Sequence, residues 1–161
     1  MILLLLRHGK AEDHVSSVQN DFLRPLTDKG LEQARQAARI LGAADLLPDL
    51  VLSSPLVRAR QTADAFTLAA KIPGPVIQAW LASGMDPQTA LSELAAFPEF
   101  ERVMIVGHEP DFSRLIQYTL GISGAAIEVR KGSVTCLEIV PPARQAVLRF
   151  LIPHKLAKHM E

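Results

Sequence analysis

Close to its start the chain reads Ile2-Leu3-Leu4-Leu5-Leu6-Arg7-His8-Gly9, and the architecture follows from this segment. An unbroken apolar run stops abruptly at a basic residue, a histidine and a glycine. A short apolar run bounded by a polar turn is the pattern of a strand buried on both faces. In open α/β sheets, ligands bind beyond the carboxyl ends of such strands. Arg7 and His8 therefore fall where a site would form, with His8 a candidate nucleophile.

Two further segments repeat the pattern. Asp49–Ser53 (DLVLS) leads into Ser54-Pro55, read as the N-cap and first residue of a helix that carries Arg58, Gln61 and Thr62 to about Ala70. Arg102–Val106 (RVMIV) is closed by Gly107-His108, and Glu109-Pro110 starts a helix through Leu120 that Gly121 terminates. Thr27 is placed to cap a helix whose Leu31, Ala34, Ala38 and Leu41 recur at helical spacing. Asp86-Pro87 opens another helix through Ala96, and Val76–Gln78 reads as a short strand. Lys10–Phe22, with His14, Ser16, Ser17 and Asn20, reads as a polar surface loop bordering the site. Ala126–Val129, Ser133–Val140 and Ala146–Ile152 are β-rich with no helix between them, which predicts antiparallel strands near the C-terminus. His154–Glu161 reads as a short helix or frayed tail. The expected fold is a layered α/β/α domain over residues 1–161, a mostly parallel sheet flanked by helices. Right-handed crossovers then bring Arg7-His8-Gly9, Ser53-Ser54-Pro55 with Arg58, and Gly107-His108 to one edge.

Composition narrows the function classes. The chain has 161 residues, 48% hydrophobic and 21% charged, with 17 basic and 17 acidic side chains. A formal net charge of zero gives no global attraction to nucleic acid or to an anionic membrane, so any anion preference must be local. Cys136, the single cysteine, lies among Val134, Leu137 and Ile139 and reads as a buried, inert thiol. The N-terminal apolar run is shorter than the ~7–15 residues of an export core. No segment approaches the ~20 apolar residues of a membrane span. The chain reads as soluble and cytoplasmic. His14, His154 and His159 read as surface residues and Trp80 as partly buried packing.

The residues gathered at the edge suit an anion. Arginine presents a planar fork matched to phosphate oxygens. Helix N-termini add free backbone N–H groups and partial positive charge. In such a field the imidazolium form of His8 is disfavoured, leaving a neutral ring with a lone pair for phosphorus. Activity should then decline on the acidic side as His8 takes up a proton, at the latest by about pH 4.5. Gly9 and Gly107 permit close backbone approach to a ligand.

Leu6-Arg7-His8-Gly9 resembles the signature of the histidine phosphatase superfamily, the phosphoglycerate-mutase-like group. Leu26-Thr27 with Gly30, Gln33 and Ala34 is similar to its next motif, as is Ser53-Ser54-Pro55-Leu56 with Arg58, Gln61, Thr62 and Ala63. Val106-Gly107-His108 matches the late histidine motif. The Arg24-Pro25-Leu26-Thr27 run and Lys131-Gly132-Ser133 most resemble the small SixA-type phosphohistidine phosphatases. The resemblance implies that His8 is the nucleophile and forms a phosphohistidine intermediate. It implies that Arg7, Arg58 and His108 hold the phosphoryl oxygens, and that neither metal nor cofactor is needed. Gly9 and Arg24 join the expected substrate-binding set.

One departure bears on the substrate. Larger members of the superfamily carry an acidic proton donor in a long insertion, whereas here Leu68–Leu81 contains no carboxylate. A phosphomonoester releases an alkoxide that needs a donor, while phosphohistidine releases an imidazole. The leading expectation is a metal-independent phosphatase for phosphohistidine in proteins. Alternatives left open are a phosphatase for a small phosphomonoester, a non-catalytic phosphate-binding module, a mutase, and a metal site using His8, His108 and Glu109. Glu109 is the foremost acid candidate, with helix capping as its competing role; Glu12 and Asp13 follow. The partner is a phosphorylated protein or small phosphorylated substrate; the sequence sets no oligomeric state.

Overall fold

A computed structural model describes residues 1–13, 18–124 and 126–160. Six strands form one sheet: β1 (Ile2–Arg7), β2 (Leu50–Ser53), β3 (Val76–Ile77), β4 (Arg102–Gly107), β5 (Val134–Ile139) and β6 (Ala146–Ile152). Their order is β3-β2-β4-β1-β5-β6. β1, β2, β3 and β4 run parallel, and β5 and β6 add an antiparallel edge beyond β1. The mixed sheet matches the architecture expected from the sequence.

The leucine run explains why β1 is central. Leu3, Leu4, Leu5 and Leu6 are all fully buried. Successive side chains on a strand point to opposite faces. Leu3 and Leu5 pack with Leu91 and Leu94 of α4 (Pro87–Leu94) and with Phe112 and Leu115 of α5 (Asp111–Leu120). Leu4 and Leu6 pack with Ala38 and Leu41 of α2 (Asp28–Ala43) and with Ala59 and Phe66 of α3 (Val57–Ala70). Each buried leucine contributes about 1.5–3 kcal/mol. A polar residue at any of the four would expose an unpaired group to one of the two cores.

The register sets the site. Arg7 pairs with Gly107, Leu6 and Ser53 both pair with Val106, and so the three strand ends stand level. Three departures from the sequence expectations matter. Val18–Leu23 forms a short helix, α1, where an irregular loop was expected; His14, Ser16 and Ser17 of that loop lie outside the described residues. Ala126–Val129 forms no strand, its backbone being used instead to hold Arg7. The helix after β2 starts at Val57 and not at Pro55, because the Ser54 hydroxyl accepts from the Leu56 N–H (3.2 Å) in a turn before the helix. Thr27 and Asp86 cap α2 and α4 as expected. A four-residue helix, α6 (His154–Ala157), follows β6. Cys136 is buried and free, and burial pushes its thiol pKa up. Among the described residues, no helix is long and apolar enough to cross a membrane.

Candidate active site

His8 follows β1 directly, and its backbone N–H donates to Gly107 O across the sheet (3.0 Å). Its ring is 5% exposed. Nδ1 lies 2.8 Å from Gly9 O. A carbonyl can only accept, so Nδ1 carries the proton and Nε2 keeps its lone pair. Nε2 faces the Arg58 Nε–H at 3.4 Å. Burial, with lesser contributions from His108, Arg58 and Arg7, lowers the His8 pKa from 6.5 to about 3, against the opposing Gly9 hydrogen bond. The ring is thus neutral over the whole ordinary pH range. With its pKa this low, His8 is expected to set an acid limb of activity below pH 4.5, lower than the sequence reading placed it.

Arg58 sits one turn into α3 and is 5% exposed. Its Nη1 donates to Asp21 O (2.8 Å) and its Nη2 lies 3.4 Å from the Asp21 carboxylate. His108 follows β4, with its ring 5.3 Å from that of His8, centre to centre. Its Nε2 is 2.7 Å from Ser54 Oγ. Because Ser54 Oγ already accepts from Leu56, its own proton can be donated to Nε2, which leaves the His108 proton on Nδ1. That Nδ1 is buried without a protein partner, as is Arg7 Nε. Burial, then Arg58, lowers the His108 pKa to about 3, opposed by Asp21. Arg7 is held by the segment before β5, its Nη1 donating to Val129 O (2.7 Å).

The structure therefore brings together Arg7, His8, Arg58 and His108. Gly9 is required for a packing reason: a Cβ there would lie 2.4 Å from Gly30 O, against the first turn of α2. Arg24, expected in the substrate-binding set, lies close enough for its charge to act on His108 and Arg58. Its Nε and Nη2 donate to Asp21 Oδ1 (3.1 and 3.0 Å) and its Nη1 to Glu12 O (3.0 Å). Glu109 Oε1 accepts from the Ser113 N–H (2.8 Å) in the first turn of α5. Glu12 and Asp13 are exposed. Among the described residues no group of three His, Cys, Asp or Glu side chains could hold a metal ion.

Sequence reasoning missed Asp21. Its carboxylate and carbonyl tie Arg58 to Arg24, with i,i+3 spacing to Arg24 as the one available signal. The polar residues around the cradle also acquire roles. Thr62 Oγ1 accepts from the Gly9 N–H (3.1 Å) and donates to Arg58 O (2.7 Å). Gln61 accepts from Leu26 N (2.7 Å) and Gln33 from Lys10 N (2.8 Å). Each of these side chains replaces water as the partner of a loop N–H beside the site.

The profile of the family described as Histidine phosphatase superfamily (branch 1) matches residues 3–80. An uncharacterized protein of Picosynechococcus sp. is 33% identical over 141 residues, covering 83% of this chain and 82% of that protein. The chain belongs to the histidine phosphatase superfamily. Members of the superfamily are phosphatases or mutases. Among solved structures, the protein histidine phosphatase SixA complexed with tungstate superposes with a TM-score of 0.85 at 21% identity, over 97% of this chain and 99% of that one. A proposed phosphohistidine phosphatase SixA from Agrobacterium tumefaciens gives a TM-score of 0.77 at 28% identity, over 94% of this chain and 97% of that one. The superfamily fold thus extends over nearly the whole chain.

Proposed function

We propose that this superfamily member is a cytoplasmic phosphohistidine phosphatase acting on proteins, with residues 1–161 working as one domain. The observation that carries the reading is the orientation of His8, whose Nδ1–H is committed to Gly9 O and whose Nε2 lone pair is directed at Arg58. Nε2 attacks phosphorus, the P–N bond of the substrate breaks, and the departing imidazole takes a proton from solvent. Water then attacks the phosphorylated His8 and releases inorganic phosphate with Nε2 restored. Arg7, Arg58 and the His108 Nδ1–H neutralise and orient the phosphoryl oxygens as charge redistributes. Gly9 permits the close approach of the loop. The cradle's own guanidinium groups supply the positive charge for these steps.

Two features support phosphohistidine over a phosphomonoester. Glu109, the foremost acid candidate, turns its Oε1 to the Ser113 N–H in the first turn of α5. Asp21 is engaged as an acceptor from two arginines and so is not arranged to donate. An alkoxide would leave without an acid, whereas an imidazole can leave without one. The likeness to SixA structures, one holding the oxyanion tungstate, agrees with this reading. The test compares kcat/KM on a histidine-phosphorylated protein with a panel of phosphomonoesters. A clear preference for the phosphoprotein is expected; an equal or higher value on any monoester overturns the reading.

A further inference from the structure

Lys10 and Lys131 are two lysines near the site to which the phosphoryl chemistry gives no role. Both are exposed, yet their backbones are fixed from below by one buried side chain. Gln33 Oε1 accepts from Lys10 N (2.8 Å), and Gln33 Nε2 donates to Lys131 O (3.5 Å). Lys10 O further accepts from Thr27 N (2.9 Å) and Thr27 Oγ1 (3.0 Å). Next to Lys131, the Gly132 N–H donates to Arg7 O (3.1 Å) and lies 3.3 Å from His8 O. Gly132 holds φ +72, and a Cβ there would press on Gln33 at 2.9 Å. The two lysines thus stand on a rigid mount tied to the same backbone that carries His8.

Their ammonium groups have no ion-pair partner among the described residues. The charges of Arg7, Arg24, Lys10 and Arg58 all bear on Lys131, whose pKa is lowered first by burial and then by these neighbours. A chain with no net charge has therefore concentrated cations here. Glu12 and Asp13 lie further along the Lys10 loop and form no ion pair with either lysine. Next in sequence to Asp21, which binds Arg58, Phe22 and Leu23 of α1 are 43% and 61% exposed. Such a rim, basic with apolar side chains, fits a macromolecular surface better than a small phosphate.

We propose that Lys10 and Lys131 form a recognition rim for acidic side chains flanking the phosphohistidine of a protein substrate. The inference rests on the phosphohistidine reading and specifies its substrate class: a phosphohistidine set among carboxylates. The rim acts on encounter and KM, since exposed charges steer association and are screened by salt.

The test uses two phosphohistidine peptides of equal length, one with aspartates flanking the phosphohistidine and one with serines and asparagines. The wild-type chain should show the higher kcat/KM on the acidic peptide. The Lys10→Glu, Lys131→Glu double variant should lower the acidic-to-neutral ratio about 10-fold, chiefly through KM, as expected for two exposed charge reversals. The ratio should also shrink as ionic strength approaches ~1 M, where the screening length is ~3 Å. Equal kcat/KM on both peptides with the wild type, or an unchanged ratio in the variant, overturns the rim while leaving the phosphohistidine reading standing. An equal loss on both peptides places the lysines in the phosphoryl cradle and also overturns it. Hydrolysis of neither peptide by the wild type sinks the phosphohistidine reading and the rim together. Thermal unfolding of the variant, with both positions exposed, should match the wild type.

Discussion

Thr62→Val is the most informative single substitution around the cradle. Thr62 is fully buried, and its hydroxyl joins the Gly9 N–H to the Arg58 carbonyl. Valine keeps the shape and removes both bonds. The Arg58 carbonyl lies inside α3 and retains its helical partner, so the main loss falls on Gly9. A buried N–H left without an acceptor costs about 1–3 kcal/mol. For a chain of this size that is a drop in Tm of roughly 2–12 °C. The consequence for activity is separate and follows from geometry. Gly9 is held at both ends, its N–H by Thr62 and its carbonyl by the His8 ring. Freeing the N–H lets the His8–Gly9 peptide turn, which shifts the His8 ring relative to the Gly9 carbonyl that sets its tautomer, the next peptide staying held through Lys10 N by Gln33. Because catalysis is sensitive to displacements of about 1 Å, kcat/KM should fall about 10-fold or more. Thr62→Ser retains the hydroxyl and should recover most of both losses. The assay is kcat/KM on a phosphohistidine peptide together with thermal unfolding, for wild type, Val and Ser. A valine variant with wild-type stability and turnover would deny the Thr62 hydroxyl this role.

Three further outcomes follow from the same geometry. His8 and His108 are lowered from 6.5 to about 3 in the folded chain, so between those values the unfolded chain binds more protons. Stability therefore rises with pH through that window and is lost as pH falls through it; the urea midpoint should drop from pH 7 to pH 4, and less steeply in His8→Asn, while a slope identical in that variant contradicts the assignment. In Gly30→Ala the new Cβ would lie 2.2 Å from Lys10 O, a backbone atom that cannot swing aside; a loss of about 1–3 kcal/mol by urea unfolding is expected, and a wild-type midpoint would show that the loop yields freely. Asp21→Asn removes the charge that ties Arg58 to Arg24, and kcat/KM should fall about 5-fold with little change in unfolding; undiminished kcat/KM would deny Asp21 any positioning role.

What could be read from the sequence is governed by which interactions are local. The leucine run of β1 was legible because burial on both faces leaves no polar position to blur the pattern. The gathering of Arg7, His8, Arg58 and His108 was legible because strand ends in a parallel sheet must fall together. The short helix bearing Asp21 was not, since six residues carry too little periodicity to distinguish a helix from a loop. Val129 offers a similar lesson. Its β-branched neighbourhood suggested a strand, but its carbonyl serves Arg7 and its segment stays out of the sheet. The role of Gln33 was hidden for a different reason: it bridges Lys10 to Lys131, and a contact spanning 98 residues has no local sequence signal. The depth of the His8 pKa shift likewise depends on burial, which the order of residues does not report.

In the proposed mechanism Nε2 of His8 carries the phosphoryl group during turnover. Rapid quenching of the wild-type chain with labelled phosphohistidine substrate, followed by localisation of the label, addresses it directly. An adduct on His8 that survives base and is lost in acid is expected, with no adduct or turnover in His8→Ala. An acid-stable adduct, a label on another residue, or full turnover by His8→Ala would contradict it.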